Sequence, residues 1–112
     1  MEKYPEIGDL KRRITLQKPV KTEDEGAGKR VNYQAVADVW AAIEPISSQE
    51  YFFAQQGRAE VTHKIRIRFR TDVKNNWRVR FGTAQYLVDS IIDMGGERRF
   101  LKLLCHEYPE NE

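Results

Sequence analysis

Cys105 and His106 are neighbours in the chain, the one place where a thiol and an imidazole adjoin. A nucleophilic cysteine needs a base within hydrogen-bond reach. The surrounding "RRFLKLLCHEY" reads as a strand, however, and consecutive strand residues point to opposite faces, so this pair forms no dyad. His63 shares its parity with Ile65 and Ile67, the setting of a partly buried packing residue rather than a ligand. No H-x-E, C-x-x-C or paired-histidine spacing occurs, so no first-row metal site is expected. The glycines of "EGAGKR" lack the preceding strand and immediate helix of a phosphate-cradling or dinucleotide loop. Asp89 and Asp93 flank a strand, as solvated acids commonly do. The sequence points away from an enzyme, and no cofactor is expected.

Cations are more telling. In "VTHKIRIRFRTDV", Val61, Ile65, Ile67 and Phe69 fall on one parity, while Lys64, Arg66, Arg68 and Arg70 fall on the other. "NWRVRFG" repeats the pattern, with Trp77, Val79 and Phe81 alternating with Arg78 and Arg80. If these two strands form a hairpin, a register placing Arg68 opposite Arg80 gathers all six cations on one face. A slip of one residue would mix Trp77 and Phe81 among them. Like charges directly opposite repel, so such a face needs acids from another strand, from a neighbouring subunit or from phosphates. A solvated outer face is the plain alternative. Single-strand nucleic-acid binders stack bases on aromatics that share the basic face. Here Phe69, Trp77 and Phe81 take the opposite parity. Any nucleic acid would therefore be held through phosphates alone, in the manner of a free-standing OB-like barrel without base readout.

The elements that must carry these residues follow from periodicity and punctuation. A strand is expected from about Arg12 to Lys18, ended by Pro19, which has no N–H to donate. "KTEDEGAGKRVN" reads as a mobile loop, spanning about residues 20–33. A second strand runs from about Ala35 to Glu44, with Trp40 and Val36 on the face opposite Ala37, Val39, Ala41 and Ile43, so both faces should touch protein. "SSQEYFFAQQG" predicts a helix of about nine or ten residues, with a Ser47/Glu50 capping box and Gly57 as its left-handed stop. Tyr51, Phe52 and Phe53 fan over roughly 200° of that helix, wider than the ~100° stripe a docked helix buries. At least one ring should then meet another protein, because aromatics are enriched at interfaces. The two cationic strands come next, then "AQYLVDSIIDM" and "RRFLKLLCHEY", joined by the turn-former "MGGE". The tail "PENE" reads as disordered. The expected fold is mainly β: a small antiparallel barrel of about six strands, with one short α-helix inserted between strands 2 and 3.

The totals bound the class. At 112 residues the chain is one domain, ordered from about residue 7 to 107. It is 40% hydrophobic and 32% charged, yet its net charge is only +2. That balance argues against a general nucleic-acid binder and favours acidic neighbours as the partners of any cationic face. With a single cysteine there is no internal disulfide. No apolar run approaches the ~20 residues of a membrane span. "MEKYPEIGDLKRR" lacks the order of a signal peptide, so a soluble, cytoplasmic chain is expected.

Taken together, "IGDLKRRITLQ", "VWAAIEP", "EYFFAQQGRAEVTHKIRIRFRTDV", "WRVRFG", "YLVDSI" and "LKLLCHE" resemble the head–tail joining (head-closure, or stopper) proteins of long-tailed bacteriophages. The resemblance extends from Ile7 to about Glu107 and rests on order and spacing rather than on any one piece. It implies a small β-barrel with an insertion between strands 2 and 3. It also implies a virion structural protein, assembled in the host cytoplasm as a ring, usually dodecameric, below the portal and adaptor. Such a ring helps retain packaged DNA and docks the tail; a neighbouring tail-completion protein is the related alternative. On this reading Glu50, Tyr51, Phe52, Phe53, Gln56 and Arg58 would lie near subunit contacts or the channel. Lys64, Arg66, Arg68, Arg70, Arg78 and Arg80 would meet neighbouring subunits or the DNA backbone. The chain departs from its relatives between Lys21 and Asn32, where they often carry a glycine pair and a tryptophan and this sequence has "GAGKRVNY".

Overall fold

The computed structural model describes residues 7–24, 28–46 and 61–108. Six antiparallel strands close into a barrel in the order β1-β2-β3-β6-β5-β4. They are β1 (Arg12–Asp24), β2 (Gly28–Pro45), β3 (His63–Arg68), β4 (Arg78–Phe81), β5 (Ala84–Asp93) and β6 (Phe100–Tyr108). The barrel and its strand count match the sequence expectation. The inserted helix does not enter the comparison, because residues 47–60 lie outside the described residues; among those described, the only helical pieces are 3-10 turns at Ile7–Asp9 and Met94–Gly96. No helix among the described residues is long and apolar enough to cross a membrane.

Alternation builds the core. Ile14 and Leu16 from β1, Ala41 from β2, Ile65 and Ile67 from β3, Val79 from β4, Tyr86 and Val88 from β5, and Leu101, Leu103 and Cys105 from β6 all point inward and are buried. Val73 and Trp77, from the connection between β3 and β4, complete this cluster. Full burial of one such aliphatic side chain stabilises by about 1.5–3 kcal/mol, so the barrel wall is held by its lining. Leu10 brings the lead-in to a smaller apolar cluster with Ala42, Met94 and Phe100. Gly82, at φ +59°, makes the two-residue turn between the paired Phe81 and Ala84. Between β5 and β6, Gly95 and Gly96 adopt φ values of 67° and 66°, which side chains rarely tolerate.

Two expectations need correction. Strand 1 does not end at Pro19. The β1–β2 pairing continues through Pro19–Tyr33 to Asp24–Gly28, so most of the expected loop is a two-stranded arm. Proline is tolerated there because β4 pairs with β1 only at Thr15, Leu16 and Gln17, which leaves the far edge of β1 open beyond them. The molecule measures 50 × 30 × 26 Å along its principal axes. Strands β3 and β4 also form no hairpin: β3 pairs with β2 and β6, while β4 pairs with β1 and β5. The intervening residues loop across instead, with Phe69 N–H bonded to the Arg99 carbonyl and Asn76 N–H to that of Val88. Two register shifts interrupt the ladders, one between Leu16 and Gln17 opposite β2, the other between Val88 and Ser90 opposite β6.

Candidate interaction surfaces

Because two strands separate β3 from β4 in either direction round the barrel, the six strand cations divide between opposite walls. Lys64, Arg66 and Arg68 share the outer face of β3, and Arg78 and Arg80 that of β4. Arg70 lies just beyond β3. The expected single face of six is not formed.

Several of these cations are satisfied within the chain. Arg66 pairs with Glu44 across the β2–β3 ladder, where Ala42 faces Arg66 and Glu44 faces Lys64. Its side chain is only 14% exposed, and its Nε is buried without a hydrogen-bond partner. Arg70 donates to both carboxylate oxygens of Asp72, at 3.0 and 2.8 Å. That bidentate bond holds the Asp72 carboxyl below its usual range and raises the Arg70 guanidinium above its own. Arg78 donates from Nε to Gln17 Oε1 at 2.5 Å and lies 4.1 Å from the centroid of the Tyr33 ring. Burial raises the Tyr33 hydroxyl above its ordinary range, the nearby Tyr108 adds to this, and Arg78 opposes it. Arg68 is exposed.

Histidines and cysteine sit where parity puts them. The His63 ring packs edge-on against buried Tyr86, with centroids 5.1 Å apart, and its Nδ1 lies 2.9 Å from Thr62 Oγ1. Cys105 points into the core, and burial, with the Asp89 charge as a smaller cause, pushes its thiol well above the ordinary range. His106 points outward and its Nδ1 lies 2.7 Å from Asp89 Oδ2. Sequence reading passed over this pair, treating Asp89 as a solvated acid. The cause is the β5 bulge: Val88 faces Cys105 and Ser90 faces Leu104, so Asp89 is the extra residue, re-aimed toward β6. Among the described residues no three of His, Cys, Asp and Glu gather closely enough to hold a metal ion.

On the outer wall of β2, Trp40 and Val36 were expected to touch protein. Both are left substantially open. They are 53% and 38% exposed, and Val31 on the arm is 53% exposed. Arg13, which faces Trp40 in the ladder, carries its guanidinium 5.1 Å from the ring centroid. The helix candidates Glu50, Tyr51, Phe52, Phe53, Gln56 and Arg58 lie outside the described residues.

Likeness to known proteins extends over nearly the whole chain. The solution structure of protein SF1141 from Shigella flexneri 2a superposes with a TM-score of 0.71 at 27% sequence identity, covering 90% of this chain and 95% of that one. A chain from the virion of a native gene transfer agent particle superposes with a TM-score of 0.61 at 18% identity, covering 88% of this chain and 96% of that one, a likeness of fold. No curated protein matches the sequence significantly. The family model for phage head completion proteins matches residues 5–108, spanning every strand of the barrel, and the chain therefore belongs to the phage head completion protein family.

Proposed function

We propose that this chain is a structural subunit of the phage connector. It assembles as a ring below the portal and adaptor, closes the filled head, helps retain the packaged DNA and offers the docking surface for the tail. Membership of the head completion family over residues 5–108 is the observation that carries this reading. The likeness of fold to a chain of a gene transfer agent virion supports it. Its partners are further copies of itself, in a ring of twelve on the resemblance, with portal and adaptor above and tail proteins below. The insertion between β2 and β3, with Glu50, Tyr51, Phe52, Phe53, Gln56 and Arg58, supplies subunit or partner contacts of that ring. The work is binding rather than catalysis.

Contact with DNA in the channel is through phosphates at most. Trp77 is buried, Phe69 and Phe81 pack against the core, and the cations divide between two walls. A stacking platform of the single-strand-binding kind gains no support from that arrangement. Electron microscopy of a purified portal–adaptor complex with this chain added tests the reading. A ring of density below the adaptor is expected, and its absence would refute the proposal. A monomer in isolation is compatible with it, since the ring needs its platform.

A further inference from the structure

The β1–β2 ribbon has two open edges of different kinds. β1 is open beyond Gln17, where its pairing with β4 stops. That edge is blunted: Pro19 has no N–H to offer, and Lys18 and Lys21 are exposed beside it. β2 is open on its other side. Its pairing with β3 ends at Ala41–Ile67, and Phe69 turns its N–H to the Arg99 carbonyl instead. Among the described residues no strand lies beside that edge from Val31 to Trp40. The stretch has no proline and no lysine, two devices that keep an edge from pairing with another chain. Its backbone groups can be assigned. Ile46 N–H bonds to the Thr62 carbonyl, and bonding groups alternate along an antiparallel strand. The even residues of β2 therefore aim theirs toward β3, and Asp38 and Trp40 continue that row past the last pair. Beyond the bulge Lys18 and Val20 face Gln34 and Asn32, so the row passes to Tyr33 and Val31.

Side chains and charge narrow the occupant. Of the large apolar side chains exposed among the described residues, Val31, Val36 and Trp40 all lie on this stretch. At its barrel end Arg13 faces Trp40, and the position after Ala41–Ile67 sets Arg68 beside the same indole. Both arginines are exposed, and among the described residues Arg68 makes no hydrogen bond or ion pair. The carboxylates on this face of β2 are engaged already, Asp38 by the Thr15 hydroxyl at 2.7 Å and Glu44 by Arg66. A strand laid here must bring carboxylates of its own. The β1 edge of a second copy is unsuited, because Pro19 lacks the donor and Lys18 and Lys21 add like charge. Two β2 edges would pair about a two-fold axis, which closes a dimer and not a ring. Chemistry thus points to a different protein.

We infer that the β2 edge from Val31 to Trp40 accepts an added strand from the portal–adaptor platform, an extended segment whose carboxylates meet Arg13 and Arg68. Such a contact deepens the ring reading and rests on it. Main-chain hydrogen bonds to an open sheet edge supply affinity, and side chains alongside it supply specificity. An undefended edge invites aggregation while it is bare. That favours the platform, which the chain meets first, over the tail, which arrives later.

Electron microscopy of the purified portal–adaptor complex carrying the full-length chain, resolved to the level of strands, tests the contact. A strand of portal or adaptor along Val31 to Trp40 is expected. A ring whose β2 edge is bare, or is filled by a copy of this chain, overturns the inference and leaves the ring reading standing. A chain that adds no density at all overturns both. Two variants give an independent measure, read as incorporation into the same complex. Val31→Pro removes one N–H from the open edge and none from the β1–β2 ladder, so it should raise the concentration for half-maximal incorporation about threefold to tenfold. Arg13→Glu with Arg68→Glu should raise it about tenfold or more, with an unchanged melting curve because both side chains are exposed. Wild-type incorporation of either variant in folded form overturns the inference, so if one is destabilised the other decides.

Discussion

The barrel and the arm are made from the same two strands, yet different forces hold them. From Arg12 to Gln17, β1 is paired with β2 and, over its last three residues, with β4, and its inward residues Ile14 and Leu16 are sealed in the core. From Lys18 onward it keeps only β2, and no buried apolar residue lies on the described part of the arm. A two-stranded ribbon is marginal in water on its own. The arm draws its anchorage from the barrel through Tyr33 over Arg78 and the Gln17 bond to that same guanidinium. Packing makes one region; the other is held at its root and left available along its length. Burial is thus concentrated in one stretch of the hairpin, while the other projects from it.

Substitutions should separate the two. The largest effect belongs to the lining of the barrel: Leu103→Ala, at a side chain with no exposure, should cost about 2–5 kcal/mol in denaturant unfolding. A loss under 1 kcal/mol would mean the core is looser than its burial implies. Next comes a pH effect confined to the barrel. The folded state raises the Cys105 thiol, so its neutral form is favoured. The stabilisation is therefore complete below the ordinary thiol range and lost as pH climbs through about 8.5 and beyond. Unfolding free energy should fall by up to about 1.4 kcal/mol per pH unit there on account of this thiol. Cys105→Ala should flatten that part of the slope, while raised Tyr33 and Tyr86 supply a further fall at higher pH.

Smaller still is removal of the arm. Replacing residues 19–33 by Asn-Gly, to turn directly between the paired Lys18 and Gln34, should lower stability by only about 0.5–1 kcal/mol. That is the scale of the lost contact between Tyr33 and Arg78. The shortened barrel should nevertheless fail to join the portal–adaptor complex. A shortened chain that melts far below wild type would show that the arm is structural after all. The smallest change is Asp72→Asn. This pair is well exposed and screened by solvent, so only a few tenths of a kcal/mol are expected. The loss should appear above the ordinary carboxylate range and vanish as pH falls, because the folded state lowers this carboxyl.

Much of the barrel was readable from strict alternation. Ile65, Ile67, Val79, Leu101 and Leu103 announced their strands because a half-buried strand has a period of two. The arm was missed because Pro19 and two glycines are ordinary signs of a loop, and only the absence of a third strand beside β1 makes them tolerable in a ribbon. Strand adjacency was missed for a related reason. Parity reports which face a residue takes but not which strand lies beside it, so β3 and β4 looked like a hairpin when they stand on opposite walls. The His106–Asp89 pair depends on a single bulged residue, which leaves no periodic trace. The exposure of Trp40 was hidden as well, since nothing local distinguishes an indole turned to a partner from one turned to the core.

The register shift between Leu16 and Gln17 sits where the barrel gives way to the arm. It works as a phase setter. Residues of β2 before it and after it alternate out of step, so Tyr33 reaches the wall that bears Arg78 while Trp40 still faces outward beside Arg13. Deleting Val36, the unmatched residue on β2, would turn the bulge into a regular ladder and keep every pair on either side of it, Gln17–Ala35 and Pro19–Tyr33 included. Charge and the barrel core would survive that deletion and Tyr33 would keep its side beside Arg78, but the bend and extra twist that the bulge gives the strand would go. In this chain the angle at which the arm leaves the barrel is set by one extra residue.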